Sequence, residues 1–322
     1  MRRVALVSLL VLVGSVFSPV IASRAVPPPG APKCHVFPSD NVWHADVSPL
    51  PVNAHSGAWL RSMSASTTDL HPDFGPSGGF PYGIPYTTVA GSHPKVHLHF
   101  TYASESDKGP YPFGPDTPIE GGKSAGGDRH ALMIDRDHCV LYELYDAHYR
   151  PSGRSTGGSG AIWSLASNKL RPATWTSADA AGFPIFPGLV RLDEVEKKGV
   201  VDHAIRFTAQ RTRTQFIWPA RHQAGESNDP SLPPMGARFR LKARFPIGRY
   251  RKDTQVILRA MKRYGLILAD NGSNWYFQGG AEKGWPVALL DQLKQIPASA
   301  FVAVDESCLM ISPGSGRAKA PC

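Results

Sequence analysis

The sequence has 322 residues, a formal net charge of +9 and many turn-forming residues, with 31 Gly and 30 Pro. Gly and Pro together make up about 12% of an ordinary protein, so this excess disfavours helix bundles and coiled coils. Only 19% of the residues are charged and 10% are aromatic, which argues against extended disorder. We therefore expect a mainly β protein that is large enough to bury a sizeable core.

Residues 1–22 have the pattern of a secretory signal peptide. Arg2 and Arg3 precede an apolar run over 4–16, and small residues at 20–22 form a cleavage site, although cutting after Ala25 fits as well. The run is shorter than the roughly 20 apolar residues that a bilayer span needs, and no later stretch is longer. We predict a secreted protein, extracellular or periplasmic, without a membrane span. Removing residues 1–22 takes away two arginines and leaves a formal charge of +7.

The rest of the chain divides by composition into a Pro-rich leader over 23–33, a single β-rich domain over 34–306 and a C-terminal tail over 307–322. An even number of cysteines in an exported chain favours disulfides, with three possible full pairings. Their wide spacing excludes a CxxC redox site and a zinc ribbon. Of the three pairings, we prefer the one that joins Cys34 to Cys139 and Cys308 to Cys322.

Hydrophobic periodicity predicts mostly short strands, and one convincing helix appears late in the chain. The predicted strands cover 95–101, 130–135, 139–146, 204–208, 215–218, 237–245, 266–269 and 275–277. The predicted helices cover 56–63, 254–264 and 287–294. This order favours a single-domain β-sandwich or jelly roll, with a C-terminal helix packed against it.

The densest group of polar residues surrounds the hairpin that we predict over 130–146. Its catalytic candidates are Glu120, Asp128, His130 and Glu143. Glu143 lies between apolar strand neighbours, where burial raises the pKa of a carboxyl as a general acid requires. Asp128 is then the base or nucleophile, and His130 orients a partner or transfers a proton. Structural roles, such as a turn cap at Asp128 or an ion pair at Glu143, explain the same residues without catalysis.

A cationic strand face and two tyrosines provide candidate substrate-binding groups. If 237–245 is a strand, alternation places four basic side chains on one face and apolar side chains on the other. The substrate-binding candidates are Arg238, Arg240, Lys242, Arg244, Tyr142 and Tyr145. Such a face suits the carboxylates or sulfates of an acidic polysaccharide, although it is also typical of a solvated or protected edge strand. No nucleic-acid motif is present.

His97 and His99 alternate on a predicted strand and therefore share a face, as two metal ligands would. With Gly91 and Glu105 they resemble the first half of a cupin metal motif, but the spacing from His99 to Glu105 is longer than the family pattern and no convincing second half follows. We therefore predict no metal and no cofactor, and interpret these histidines as solvent-facing.

Several short segments together resemble a family of secreted bacterial proteins described only as hypothetical. They are His71-Pro72-Asp73-Phe74-Gly75, Gly83-Ile84-Pro85-Tyr86, Ile119-Glu120-Gly121-Gly122, Gly127-Asp128-Arg129-His130, Leu141-Tyr142-Glu143-Leu144-Tyr145 and Leu268-Ala269-Asp270-Asn271-Gly272. The resemblance runs from about Cys34 to Asp305 and implies one continuous domain, but it carries no activity.

Paired carboxylates with nearby tyrosines favour a carbohydrate-active enzyme, and a glycoside hydrolase above all. Two alternatives remain open. A non-catalytic glycan-binding or cell-surface-binding protein needs the aromatic and basic surfaces but no paired acids. A polysaccharide lyase needs His130 or a tyrosine to remove a proton and arginines to neutralise a uronate.

Overall fold

The computed structural model describes residues 25–319. The predicted signal peptide and Cys322 lie outside the described residues. Strand residues (26%) outnumber helical residues (16%) and form several sheets, so the mainly β class is confirmed. The sandwich or jelly-roll arrangement, and the single domain over 34–306, stay predictions.

Most strands are short, and the helices are few. The strands of the described residues are β1 (His71–Asp73), β2 (Gly75–Ser77), β3 (Phe80–Tyr82), β4 (Tyr86–Val89), β5 (His99–Phe100), β6 (Ala131–Asp135), β7 (Val140–Tyr145), β8 (Thr156–Gly157), β9 (Ser159–Ser164), β10 (Ile205–Ala209), β11 (Arg238–Leu241), β12 (Leu266–Asn271), β13 (Tyr276–Gln278) and β14 (Phe301–Val304). The α-helices are α1 (Ser56–Ser62), α2 (Lys252–Arg263) and α3 (Val287–Leu293). Single 3-10 turns lie at Val42–His44, Ala103–Glu105, Phe186–Gly188, Ala298–Ala300 and Ser307–Leu309, and a π-helical turn lies at Asp193–Lys198.

The larger sheet has six strands in the order β1-β13-β10-β12-β11-β14. It is mixed, because β1–β13 and β10–β12 are parallel pairs whereas β11 is antiparallel to both of its neighbours. The apolar side chains of its central strands, such as Phe207, Phe239 and Leu266, are fully buried. Helix α2 packs against β11 and α3, as expected for an amphipathic helix with one apolar stripe.

The second sheet has four strands in the order β4-β6-β7-β9. Leu132 and Ile134 belong to the same hydrophobic cluster as the apolar residues of the six-stranded sheet. Ala131 and Met133 belong to a second cluster that includes Tyr111. Because successive side chains of a strand point to opposite faces, both faces of β6 are buried, whereas the edge strand β4 is only partly buried.

Most predicted elements are present, with different lengths. The hairpin of β6 and β7 is antiparallel as predicted, and α2 and α3 lie where helical periodicity placed them. The strand predicted over 95–101 is reduced to β5, and the one predicted over 215–218 is a single bridge between Phe216 and Met235. The strand predicted over 237–245 is also wrong in length, since β11 ends at Leu241.

The described parts of both terminal segments contact the rest of the protein. Ala25 and Ala31 are buried, and Arg191 Nη2 donates a hydrogen bond to the carbonyl oxygen of Val26. Near the other end, Arg317 bridges to Asn41. Among residues 25–319, no helix has both the length and the apolar character that crossing a bilayer requires.

The preferred pairing of Cys34 with Cys139 is confirmed. Cys308 is also disulfide-bonded, and its predicted partner Cys322 lies outside the described residues. A disulfide is consistent with the oxidising compartments that exported proteins enter.

The Cys34–Cys139 bond spans 105 residues and fixes the N-terminal segment beside the start of β7. Because a cross-link of this span restricts the unfolded chain strongly, we expect the Cys34→Ala/Cys139→Ala double variant to lose about 2–5 kcal/mol of unfolding free energy. Urea unfolding measures it, with the exposed Ser312→Ala as the control substitution. An unfolding midpoint equal to that of the control would contradict the stabilising role of this bond.

Candidate active site

Two adjoining cavities form a cleft lined by carboxylates. The first, of about 250 Å³, is lined by residues that include Asp73, Tyr82 and Glu120, and we call it the Asp73 cavity. The second, of about 320 Å³, is lined by residues that include Tyr145 and His222, and we call it the Tyr145 cavity. The cavities adjoin, because both are lined by Asp128, Asp270 and Asn271.

The six short segments on which the predicted family resemblance rests converge on this cleft. Five of the six contribute residues to the Asp73 cavity, namely Asp73, Ile84, Glu120, Asp128 with His130, and Asp270 with Asn271 and Gly272. The sixth contributes Tyr145 to the other cavity. These segments are therefore distant from one another in the sequence but adjacent in space.

A buried arginine, Arg206 on β10, lies in the wall of the Asp73 cavity. Its Nε and Nη2 atoms both lie 3.0 Å from Asp179 Oδ2, and Nη2 lies 3.8 Å from Asp270 Oδ2. The side chains of Arg206 and Asp179 are 3% and 0% exposed, whereas that of Asp270 is 27% exposed. Asp270 is therefore the carboxylate of this trio that a ligand in the cleft reaches.

A β-bulge turns Asp270 towards Arg206. In the pairing of β10 with β12, Phe207 lies opposite Leu268 but the next residue, Thr208, lies opposite Asp270, so Ala269 is the extra residue. Without the bulge, Asp270 would share a face with Leu268 and enter the apolar core. The extra residue reverses that alternation, as bulges do, and places Asp270 on the side of Arg206.

Burial raises the pKa of the Asp270 carboxyl above its ordinary value, and the charge of Asp128 raises it further, against the opposing effects of Arg206 and His130. Burial also raises the pKa of Asp179, to about 7. A half-buried carboxyl that holds its proton is suited to donate it to a leaving oxygen.

Sequence periodicity did not identify Asp270 as a site candidate, although Asp270 lies in Leu268–Gly272, one of the six short segments of the predicted resemblance.

Asp128 lies on the surface at the junction of the two cavities, on a loop that a buried arginine shapes. The Asp128 carbonyl accepts a hydrogen bond from the backbone N–H of Asp146 at 2.8 Å. The neighbouring Arg129 is 6% exposed and donates to the carbonyl oxygens of Lys123, Ala125 and Ala147. These bonds hold the Gly-rich loop in place and present the Asp128 carboxylate to the cleft.

Glu120 and His130 form an ion pair at the wall of the Asp73 cavity. His130 Nδ1 lies 2.6 Å from Glu120 Oε2, and His130 Nε2 lies 3.0 Å from the carbonyl oxygen of Ala178. Since a carbonyl only accepts, Nε2 carries hydrogen. Burial alone would lower the pKa of His130 and raise that of Glu120. Pairing outweighs burial, so the pKa of His130 is raised and that of Glu120 is lowered. Both ring nitrogens are engaged, so His130 orients Glu120 and is not a free base.

Glu143, the predicted general acid, lies away from the cleft. It is 0% exposed, and its oxygens accept hydrogen bonds of 2.8–3.0 Å from the backbone N–H groups of Ile185 and Phe186. Burial raises its pKa to about 7, as the sequence argument expected for a carboxyl among apolar neighbours. The carboxylate nevertheless serves to join β7 to the segment around Phe186, and neither cavity of the cleft is lined by it.

The predicted cationic face does not form. Arg238 is fully buried, where it donates to the carbonyl oxygens of Tyr264 and Val42 and pairs with Glu306 at 3.2 Å. The other three cations do not form an exposed binding face either. Arg240 donates to the carbonyl oxygens of Val47 and Leu50, Lys242 donates to that of Ser299, and only Arg244 is exposed. The reason is that the segments of Val42 and Val47 cover the face of β11 that carries Arg238 and Arg240. Lys242 and Arg244 lie beyond the end of β11 at Leu241.

The two predicted binding tyrosines have different surroundings. Tyr145 lines the cleft, and a Cβ atom on Gly158 would overlap its ring, so only glycine allows this close approach. Tyr142 is 6% exposed, and its hydroxyl accepts a hydrogen bond from Lys95 at 2.9 Å. Tyr142 therefore belongs to the second hydrophobic cluster and not to the cleft.

Within residues 25–319, no group of three or more His, Cys, Asp or Glu side chains is arranged to hold a metal ion. His97 Nδ1 lies 3.1 Å from the carbonyl oxygen of Lys108, and His99 is exposed.

No family model, curated protein or solved structure matches this chain. The resemblance to a family of secreted bacterial proteins stays a prediction.

The buried position of Arg238 predicts a structural effect and no binding effect. Arg238→Met leaves the Glu306 carboxylate buried without its partner, a change that costs about 3–5 kcal/mol of unfolding free energy. Arg244→Met, the matched control on the same segment, is exposed and should change the unfolding free energy by less than about 0.5 kcal/mol. Equal unfolding midpoints in urea for the two variants would show that Arg238 does not hold a buried pair.

Proposed function

We propose that the protein is an exported glycoside hydrolase whose active site is the cleft that the Asp73 and Tyr145 cavities form. One observation carries the proposal. Asp128 and Asp270 line the same two cavities, and they differ in environment, since Asp128 is exposed and Asp270 is largely buried with a raised pKa. Two carboxyl groups in different environments are what glycosidic-bond cleavage uses.

In this proposal Asp270 replaces Glu143 as the general acid. The protonated Asp270 carboxyl donates its proton to the glycosidic oxygen as the bond from that oxygen to the anomeric carbon breaks. Asp128 either removes a proton from the water that attacks the anomeric carbon, or attacks that carbon itself and is released by water in a second step. Arg206 and Asp179 line the cleft with side chains that are only 3% and 0% exposed, and we assign them as positioning residues that act through Asp270.

The charge of the cleft favours a neutral glycan over an acidic one. The Tyr145 cavity is lined by Glu105, Asp128, Asp179 and Asp270, while the cation between the last two, Arg206, is buried and paired. A polymer of uronates would bring further negative charge to this wall without an exposed cation to meet it. The prediction of an acidic substrate depended on four exposed cations on 237–245. Three of them are instead buried or bonded to backbone carbonyls.

The same geometry disfavours a polysaccharide lyase. A lyase needs a free base and a cation that neutralises the uronate carboxylate. His130 has both ring nitrogens engaged, and Arg206 is 3% exposed. A non-catalytic glycan-binding protein remains the alternative, and it predicts binding without release of reducing sugar.

The two carboxylates make a direct prediction about activity. We expect Asp270→Asn and Asp128→Asn each to lower kcat by about 10²–10⁴-fold, the usual contribution of a general acid or base. Release of reducing sugar from a panel of soluble neutral polysaccharides, with polygalacturonate as the acidic member, measures the loss. The control is Asp229→Asn, since Asp229 is exposed and outside the cleft.

Retention of full activity by either cleft variant would exclude that residue from catalysis. Binding of a neutral polysaccharide without cleavage would favour the non-catalytic alternative. Preferential cleavage of polygalacturonate, with an unsaturated product, would identify a lyase.

The raised pKa of Asp270 predicts the alkaline side of the pH profile. Activity requires Asp270 to hold its proton, so kcat/KM should fall as pH rises through the pKa of this carboxyl. Arg206→Met removes a cation that lowers this pKa, and the alkaline limb should therefore move to higher pH. Arg249→Met, on a surface arginine away from the cleft, should leave the limb in place. A shift to lower pH in Arg206→Met would contradict the assignment.

A further inference from the structure

The β2–β3 hairpin beside the Asp73 cavity carries an unusually exposed aromatic residue. Phe80 has 77% of its surface exposed, and Tyr82 on the same strand has 49%. The hairpin turns through Gly78 and Gly79, both with positive φ, in a two-residue loop between Ser77 and Phe80. Such a loop is the type I′ turn that joins antiparallel strands tightly.

Phe80 and Tyr82 form one aromatic surface that continues the cavity wall. They are two residues apart on β3 and therefore share a face of the strand, about 7 Å apart along it. Tyr82 lines the Asp73 cavity and shares a side-chain hydrogen bond with Asp73. Burial and the neighbouring Asp73 charge raise the pKa of Tyr82 to about 12, so its hydroxyl stays a donor and fixes the ring. Phe80 then lies one step further out on the same side.

We propose that Phe80 and Tyr82 are a binding platform for sugar rings of a neutral polysaccharide that extends out of the Asp73 cavity. The inference rests on the proposed function and deepens it, since it makes the substrate a polymer and not a short glycoside. The faces of pyranose rings are lined by C–H groups that pack on aromatic rings, and Tyr82 adds a hydroxyl for hydrogen bonding. Continuity with the carboxylate-lined cleft identifies the occupant as a glycan.

The far end of the cleft has a similar aromatic pair. Tyr102, with 51% of its surface exposed, and Tyr145 line the Tyr145 cavity. Aromatic side chains thus occur at both ends, with Asp128 and Asp270 at the junction between them. This order predicts that bonds within a chain are cleaved, because sugar units are held on both sides of the reacting bond.

The test is affinity electrophoresis of the full protein in gels that contain a mixed-linkage β-glucan, a xylan, a glucomannan or an α-1,4-glucan. We expect at least one neutral polymer to retard the wild type. Phe80→Ala and Phe80→Leu should weaken that retardation roughly tenfold, the equivalent of about 1.4 kcal/mol, while Phe80→Trp retains it. The control is Ile311→Ala, because Ile311 is similarly exposed (55%) but lies outside the cleft.

Binding in the gel does not depend on hydrolysis, so the two proposals fail separately. Loss of retardation in Phe80→Ala supports the platform even if no polymer is cleaved, a result that would contradict only the hydrolase. Equal retardation of wild type and Phe80→Ala, or no retardation of the wild type by any of the polymers, overturns the platform. A concentration-dependent dimer of the wild type that Phe80→Ala converts to a monomer also overturns it, since the surface would then contact a second copy.

Discussion

The buried guanidinium of Arg206 is the group on which the cleft depends. A charge without a partner is very unfavourable in a protein interior, so a buried arginine requires carboxylates at fixed positions. Asp179 meets this requirement from the segment that follows β9, and Asp270 meets it from the end of β12. The cation thereby links two distant parts of the chain at the point where the cavities join.

The same arrangement accounts for the contrast between the two carboxyls that we propose as catalytic, Asp270 and Asp128. Asp270 lies on the buried side of the cleft, and burial is the largest influence on its pKa. Asp128 lies opposite on a surface loop whose shape depends on Arg129. One side of the cleft is thus set by an ion cluster inside the molecule, and the other side by a loop folded around a second buried arginine.

Hydrophobic periodicity and turn residues predicted several of the secondary-structure elements. The β6–β7 hairpin and α2 were foreseen because periodicity and turn residues specify them. The Cys34–Cys139 bond was the preferred one of three pairings, a choice that such patterns do not specify. Asp128, Glu120, His130 and Tyr145 were site candidates from the sequence, and all four line the cleft. Their roles stay predictions.

Two failures have clear physical causes. Alternation along 237–245 shows which side chains share a face but not what packs on that face. Arg238 is buried against the segments of Val42 and Tyr264, where solvent exposure was expected. Asp270 was missed because regular alternation from Leu268 places it in the core, and only the bulge at Ala269, a feature of strand pairing, turns it towards Arg206. Glu143 satisfied the expected environment of a general acid without facing any cavity of the cleft.

The central claim is that the pKa of Asp270 is raised at the junction of the two cavities. A ¹³C NMR titration of the aspartate carboxyls tests it without knowledge of the substrate, with the Asp270 resonance assigned by its absence in Asp270→Asn. We expect this carboxyl to titrate above the ordinary aspartate value of 3.8, and higher still in Arg206→Met. A midpoint at or below the ordinary value would contradict its assignment as the proton donor.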